Sequence, residues 1–135
     1  MRAVGMSRTL IEKPAEFFLD LGGLHDTWIE KLDVNLVEKT ASLRLNDLNA
    51  NFGDLTEYPD RQAVRPATLL LEQTSHLSFR LSTLEGVRIS DVSVDGSPGA
   101  YDMRIALNLG GLPDDPQTWW ICCCFGSLSL LEDFP

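Results

Sequence analysis

The stretch YDMRIALNL, residues 101–109, constrains the fold more than any other. Met103, Ile105, Leu107 and Leu109 alternate with Asp102, Arg104, Ala106 and Asn108. A period of two sends successive side chains to opposite faces, so this segment is a strand with one buried and one wet face. The same period recurs along the chain. Trp28, Leu32, Val34 and Leu36 alternate with Ile29, Lys31, Asp33 and Asn35. After the turn VEKT, Ala41, Leu43 and Leu45 alternate with Ser42, Arg44 and Asn46. Together these two runs predict an antiparallel hairpin.

ATLLLEQ (67–73) predicts a more buried strand, and SHLSFRLS (75–82) one with Leu77, Phe79 and Leu81 inward. VRISDVSVD (87–95) starts with Val87 and Ile89 on one face but ends with Val92 and Val94 on the other. A bulge near Ser90-Asp91 reconciles the two halves. DGSPG is a turn, GGLPDDPQ a loop, and WWICCCFGSLSLL (119–131) gives one or two last strands.

A single helix is expected. Pro14 suits a first helical position, AEFFLDL continues it with Phe17, Phe18 and Leu21 on one face, and Gly22-Gly23 end it. Residues 1–8 read as a flexible tail and 48–64 as a long loop. The expectation is one domain over residues 1–135, mainly β: an antiparallel sandwich or barrel of about seven to eight strands with one short N-terminal helix.

Charge narrows the partners. Eleven Lys and Arg face twenty Asp and Glu, a formal net charge of −9. Such a surface repels phosphate backbones and anionic membranes, and attracts basic partners. No nucleic acid and no membrane partner is expected. The longest apolar run, WWICCCF, is far short of the roughly 20 residues of a spanning helix. The first residues lack the apolar core of a secretory signal, and three adjacent cysteines make no disulfide framework. A reduced, cytoplasmic protein is the natural expectation.

The residues that could carry chemistry each have a plainer reading. A His beside a carboxylate can act as a general base, which draws attention to His25-Asp26. On a strand, however, neighbours point to opposite faces, so a dyad would need an acid from elsewhere, such as Asp91 or Glu72. The expected role is structural: Asp26 caps the turn after the glycines and His25 bonds nearby backbone. His76 is out of phase with Leu77 and Phe79 and should face solvent or a sheet edge. DLNANFGD (47–54) spaces Asp47, Asn49 and Asn51 like the first calcium ligands of an EF-hand. Phe52 and Tyr58 then stand where that loop needs glycine and glutamate. Cys123 should share the core face of its strand with Trp119, Ile121 and Phe125, leaving Cys122 and Cys124 on the other. No metal, cofactor or catalytic residue is assigned.

The loop 48–64 has no clear period, and long loops of this kind often carry function. Phe52, Asp54, Tyr58, Asp60 and Arg61 are its candidate binding residues. The last-strand face bearing Trp120 and Cys122 is apolar and must meet the helix or a second subunit. A homodimer with those residues at its interface is expected.

LHDTWIEKLDV, then TASLRLNDL, then RPATLLLEQ resemble a group of small bacterial β-rich proteins that open with a His-Asp motif. The group includes immunity-type proteins of polymorphic toxin systems and families of unknown function. His25-Asp26 match the motif, while Thr27 stands where it often has alanine. The resemblance spans roughly residues 22–80 and implies a non-enzymatic protein that binds a partner. With the −9 charge, the expectation is an immunity-like protein binding a basic toxin domain. Two alternatives stand beside it. One is a small-molecule binder or hydrolase with His25, Asp26 and Tyr58 at the mouth of a pocket. The other is a homo-oligomeric structural protein.

Overall fold

A computed structural model describes residues 5–50, 64–109 and 119–134. The described chain runs β1 (Gly5–Ile11), α1 (Pro14–Asp20), a 3-10 turn (Gly22–Leu24), β2 (Ile29–Asn35), β3 (Thr40–Leu45), β4 (Ala67–Glu72) and β5 (His76–Arg80). It continues with β6 (Arg88–Ser97), β7 (Ala100–Asn108), β8 (Trp120–Phe125) and β9 (Ser127–Phe134). These strands form two antiparallel sheets, one of five strands in the order β1-β9-β4-β3-β2 and one of four in the order β5-β8-β7-β6. The sheets face each other as a sandwich and do not close into a barrel.

The alternation has a direct structural counterpart. Met103, Ile105 and Leu107 of β7 are buried, as are Ile121, Cys123 and Phe125 of β8. They meet Leu43 and Leu45 of β3, Leu69 and Leu71 of β4, and Leu128 and Leu130 of β9 from the opposite sheet. The β6–β7 register shifts between Ile89 and Asp91. That bulge lets Ile89, Val92 and Val94 all face the core.

α1 begins with Pro14 at its start. Seven residues are too few to hold a helix in water, so docking must hold it. α1 packs against β6 and the 3-10 turn, and Phe18, 1% exposed, enters the core with Phe17 edge-on to it, ring centroids 5.2 Å apart. The turn follows at once because Gly22 and Gly23 take positive φ values of 65° and 67°.

Four expectations need correction. Nine strands occur among the described residues rather than seven or eight, because WWICCCFGSLSLL makes two and residues 5–11 make another. Gly5–Arg8 therefore do not belong to a tail: β1 pairs with β9 from Gly5↔Phe134 to Ile11↔Leu128. Phe79 is 56% exposed. It lies opposite core-facing Ile121, so its direction is as expected, but β5 is an edge strand and Phe79 lines an open groove with Leu32, Leu81 and Val87. The run Trp28–Leu36 does not keep one face. A register irregularity between Ile29 and Lys31 puts Ile29 rather than Trp28 on the side of Leu32. Val34, opposite buried Ala41, keeps that side but is exposed on the edge strand β2, and Leu36 lies beyond it.

Candidate functional site

His25 and Asp26 lie on the turn after Leu24, not on a strand, so face alternation does not separate them. Asp26 has φ +68°, which Asp tolerates better than most residues. Its N–H donates to Ile89 O at 2.9 Å, while its carboxylate stands 3.7 Å from His25 Nε2. The carboxylate caps no backbone N–H among the described residues. The expected turn cap is thus replaced by a left-handed backbone position. His25 Nδ1 lies 2.9 Å from Ser90 O, the backbone bond expected of it. Both side chains are about half exposed. Neither is among the residues lining four grooves formed by described residues.

Neither acid proposed as a remote partner lies within ion-pair distance of His25. Glu72 pairs with Arg8. The carboxylate of Asp91 sits so close to Gly23 that a Cβ there would fall 2.0 Å from its Oδ1.

Asp47 is a structural hub. It is 6% exposed, and its Oδ1 accepts the N–H groups of Asn49 at 2.8 Å and Arg65 at 2.9 Å. The hydroxyl of Thr27 donates to its carbonyl at 2.9 Å. These bonds pin together the two described ends of the long connection. Phe52, Asp54, Tyr58, Asp60 and Arg61 lie outside the described residues. No group of three or more His, Cys, Asp or Glu side chains able to hold a metal ion occurs among the described residues.

The three cysteines are free thiols. Cys123 is 1% exposed, and burial pushes its thiol pKa up to about 11. Burial, then the neighbouring Asp102 carboxylate, also raises that of Cys124. Neither is an activated thiolate.

The most unusual chemistry lies where those cysteines face outward. Each of the chain's three tryptophans has an arginine nearby: Arg80 over Trp119 at 5.7 Å, Arg88 over Trp28 at 5.8 Å and Arg104 over Trp120 at 5.8 Å from the ring centres, although Trp119 packs against the core and only Trp120 shares the outward face of Cys122 and Cys124. None of these guanidiniums has a carboxylate within ion-pair distance among the described residues, whereas Arg8 and Arg65 pair with Glu72 and Glu132. Strand register builds the group. Arg80 lies opposite Trp120 across β5–β8, and Ala106 lies opposite Trp120 across β7–β8. Arg104, two residues before Ala106, stands on the same outward face. Trp120, Cys122 and Cys124 remain partly exposed there. α1 docks on β6 and the 3-10 turn.

A guanidinium stacked on an indole keeps its N–H edge free for a carboxylate while the ring holds its plane. Tryptophan and arginine are also the side chains most enriched at binding hot spots. Trp120 and Cys122 were singled out from the sequence, and the structure places them together. The arginines were not. Alternation put Arg104 and Trp120 on outward faces, but only the register shows that they meet.

Comparison of the chain with protein-family models, curated proteins and solved structures returns no match. The reading of this face therefore rests on its own geometry.

Proposed function

We propose that this chain is a non-enzymatic binding protein that engages a protein partner through the outer face of its four-stranded sheet. The observation that carries this reading is the Arg104–Trp120 pair on that face with Arg80 beside it, two cations that lack carboxylate partners among the described residues. Leaving a guanidinium unpaired on a chain with twenty carboxylates is unusual, and it fits a partner that supplies the missing acid. Small side chains and the free thiols around Trp120 supply an apolar centre between the charges. Three free cysteines suit a reducing compartment, in keeping with a cytoplasmic role. No helix among the described residues is long and apolar enough to cross a membrane.

A second reading keeps the immunity-like role, with a basic toxin domain as partner, and is supported by the net charge of −9. The two readings differ in the sign of the partner. Tryptophan fluorescence, followed at nanomolar protein concentration while poly-glutamate or poly-lysine is added, separates them. The first reading expects a salt-sensitive response to poly-glutamate that is lost in Arg80→Ala/Arg104→Ala. A response to poly-lysine alone would favour the second and refute the first.

A further inference from the structure

The outer face of the four-stranded sheet is charged in columns. Register aligns Arg80, Trp120, Ala106 and Asp91 in one row across the sheet. Ser78, Cys122, Arg104 and Ser93 form the next, and His76, Cys124, Asp102 and Asp95 the third. Down one edge, β5 presents His76, Ser78 and Arg80, with no acid. Down the other edge, β6 presents Asp91, Ser93 and Asp95, with Arg88 on the far side of the bulge, beside Trp28. His76, Ser78, Arg80, Asp91, Ser93 and Asp95 are all exposed. The centre, β8 and β7, holds the large Trp120 beside the small Ala106.

This pattern is complementary to itself. Resting on the reading of this face as the binding surface, we infer that its occupant is a second copy of the chain. The two four-stranded sheets pack face to face about a two-fold axis that runs parallel to the strands between β7 and β8. That operation lays β5 of each copy over β6 of the other, and β8 over β7. Arg80 then meets Asp91, His76 meets Asp95 and Ser78 meets Ser93. Trp120 is set against Ala106, large on small, and Cys122 against Arg104. Symmetry makes every contact twice. Sheets packed in this aligned way lie about 10 Å apart with a crossing angle near 30°, a gap that long side chains such as Arg80 span.

Two alternatives fit worse. A two-fold axis running across the strands, along the row of Cys122 and Arg104, would set Arg104 on Arg104 and Asp91 on Asp95. Like charges at an interface oppose association. A foreign acidic protein would satisfy β5 but would face the aspartates of β6 with more negative charge. A second copy satisfies both columns.

Sedimentation velocity at 5–50 μM, taken as roughly the range in which specific dimers of modest affinity assemble, tests the arrangement through exchanged charges. The wild-type chain is expected to sediment as a dimer. Arg80→Asp alone and Asp91→Arg alone should each weaken association at least tenfold, because each sets like charges together twice. An equimolar mixture of the two variants should sediment as a dimer again, since each copy then supplies the charge the other lacks. Asp91 lies against Gly23, so His76→Asp and Asp95→Arg are run in the same way as a second pair. Only variants with a wild-type far-ultraviolet spectrum are scored. A wild-type monomer across the whole range, single variants that dimerise normally, or mixtures that stay monomeric would each overturn the inference. A wild-type monomer that still responds to poly-glutamate would overturn the second copy as occupant and leave the binding reading standing.

Discussion

Phe18→Ala is the substitution that most directly tests how α1 is held. Phe18 is 1% exposed, whereas Leu19, its neighbour on the same short helix, is 78% exposed. Removing the ring forfeits about 2–3 kcal/mol of transfer free energy. If α1 stays in place, the empty space under it adds a cavity cost, for a total of about 3–5 kcal/mol. Relaxation offers no cheap escape. A helix this short does not persist undocked, so letting it go would also expose buried Pro14 and the partly buried Phe17. Leu19→Ala should change stability by no more than about 0.5 kcal/mol, as exposed positions do. Urea unfolding at one fixed protein concentration, followed by tryptophan fluorescence, measures both. A Phe18→Ala cost below about 1 kcal/mol, or a Leu19→Ala cost equal to it, would refute the claim that one side chain anchors the helix.

Asp47→Ala leaves two backbone N–H groups without their acceptor and should cost about 2–3 kcal/mol in a thermal melt, with Asp47→Asn milder because it keeps a carbonyl oxygen. The pair Arg65–Glu132, two bonds of 2.8 Å each, holds the Glu132 carboxyl below its usual pKa. Its stabilisation is therefore present above about pH 4.5 and is lost as acid protonates the folded carboxylate. Glu132→Gln should flatten that acid limb of the stability profile, and a limb of unchanged slope would reject the assignment. Cys123 should react with a maleimide only on unfolding at pH 7, and mass spectrometry that finds it labelled at the rate of a free exposed thiol would reject its burial.

The sequence made much of this framework legible where a local rule was enough. Alternation identified Met103, Ile105 and Leu107 as core, the phase change in VRISDVSVD located the bulge, and Pro14 with Gly22-Gly23 bracketed the helix. Cys123 separated from Cys122 and Cys124 by parity alone. What stayed hidden depends on partners far along the chain. GMSRTLI carries few apolar residues and becomes a strand only because β9 lies beside it. His25 and Asp26 were judged by the rule for strands, and a positive φ at Asp26 removed that rule's premise. Arg80, Arg88 and Arg104 sit in three different strands, so their shared association with tryptophan exists only once register is set. The candidates in the loop 48–64 fall outside the described residues.

The position of β9 has a consequence for how the chain assembles. It is the last described strand in sequence, yet it lies inside its sheet, between β1 and β4. During vectorial synthesis β2, β3 and β4 can pair as they emerge, but β1 must wait for a partner well over a hundred residues downstream. Until then Leu69 and Leu71 keep an unpaired strand edge, and Leu128 and Leu130 are missing from the core they complete. Such non-local closure slows folding and prolongs the life of sticky intermediates. The nascent protein is thus most exposed to misassembly in the interval just before β9 is released, and supplying β9 as a separate peptide to a chain that stops after β8 should rescue folding from that trapped state.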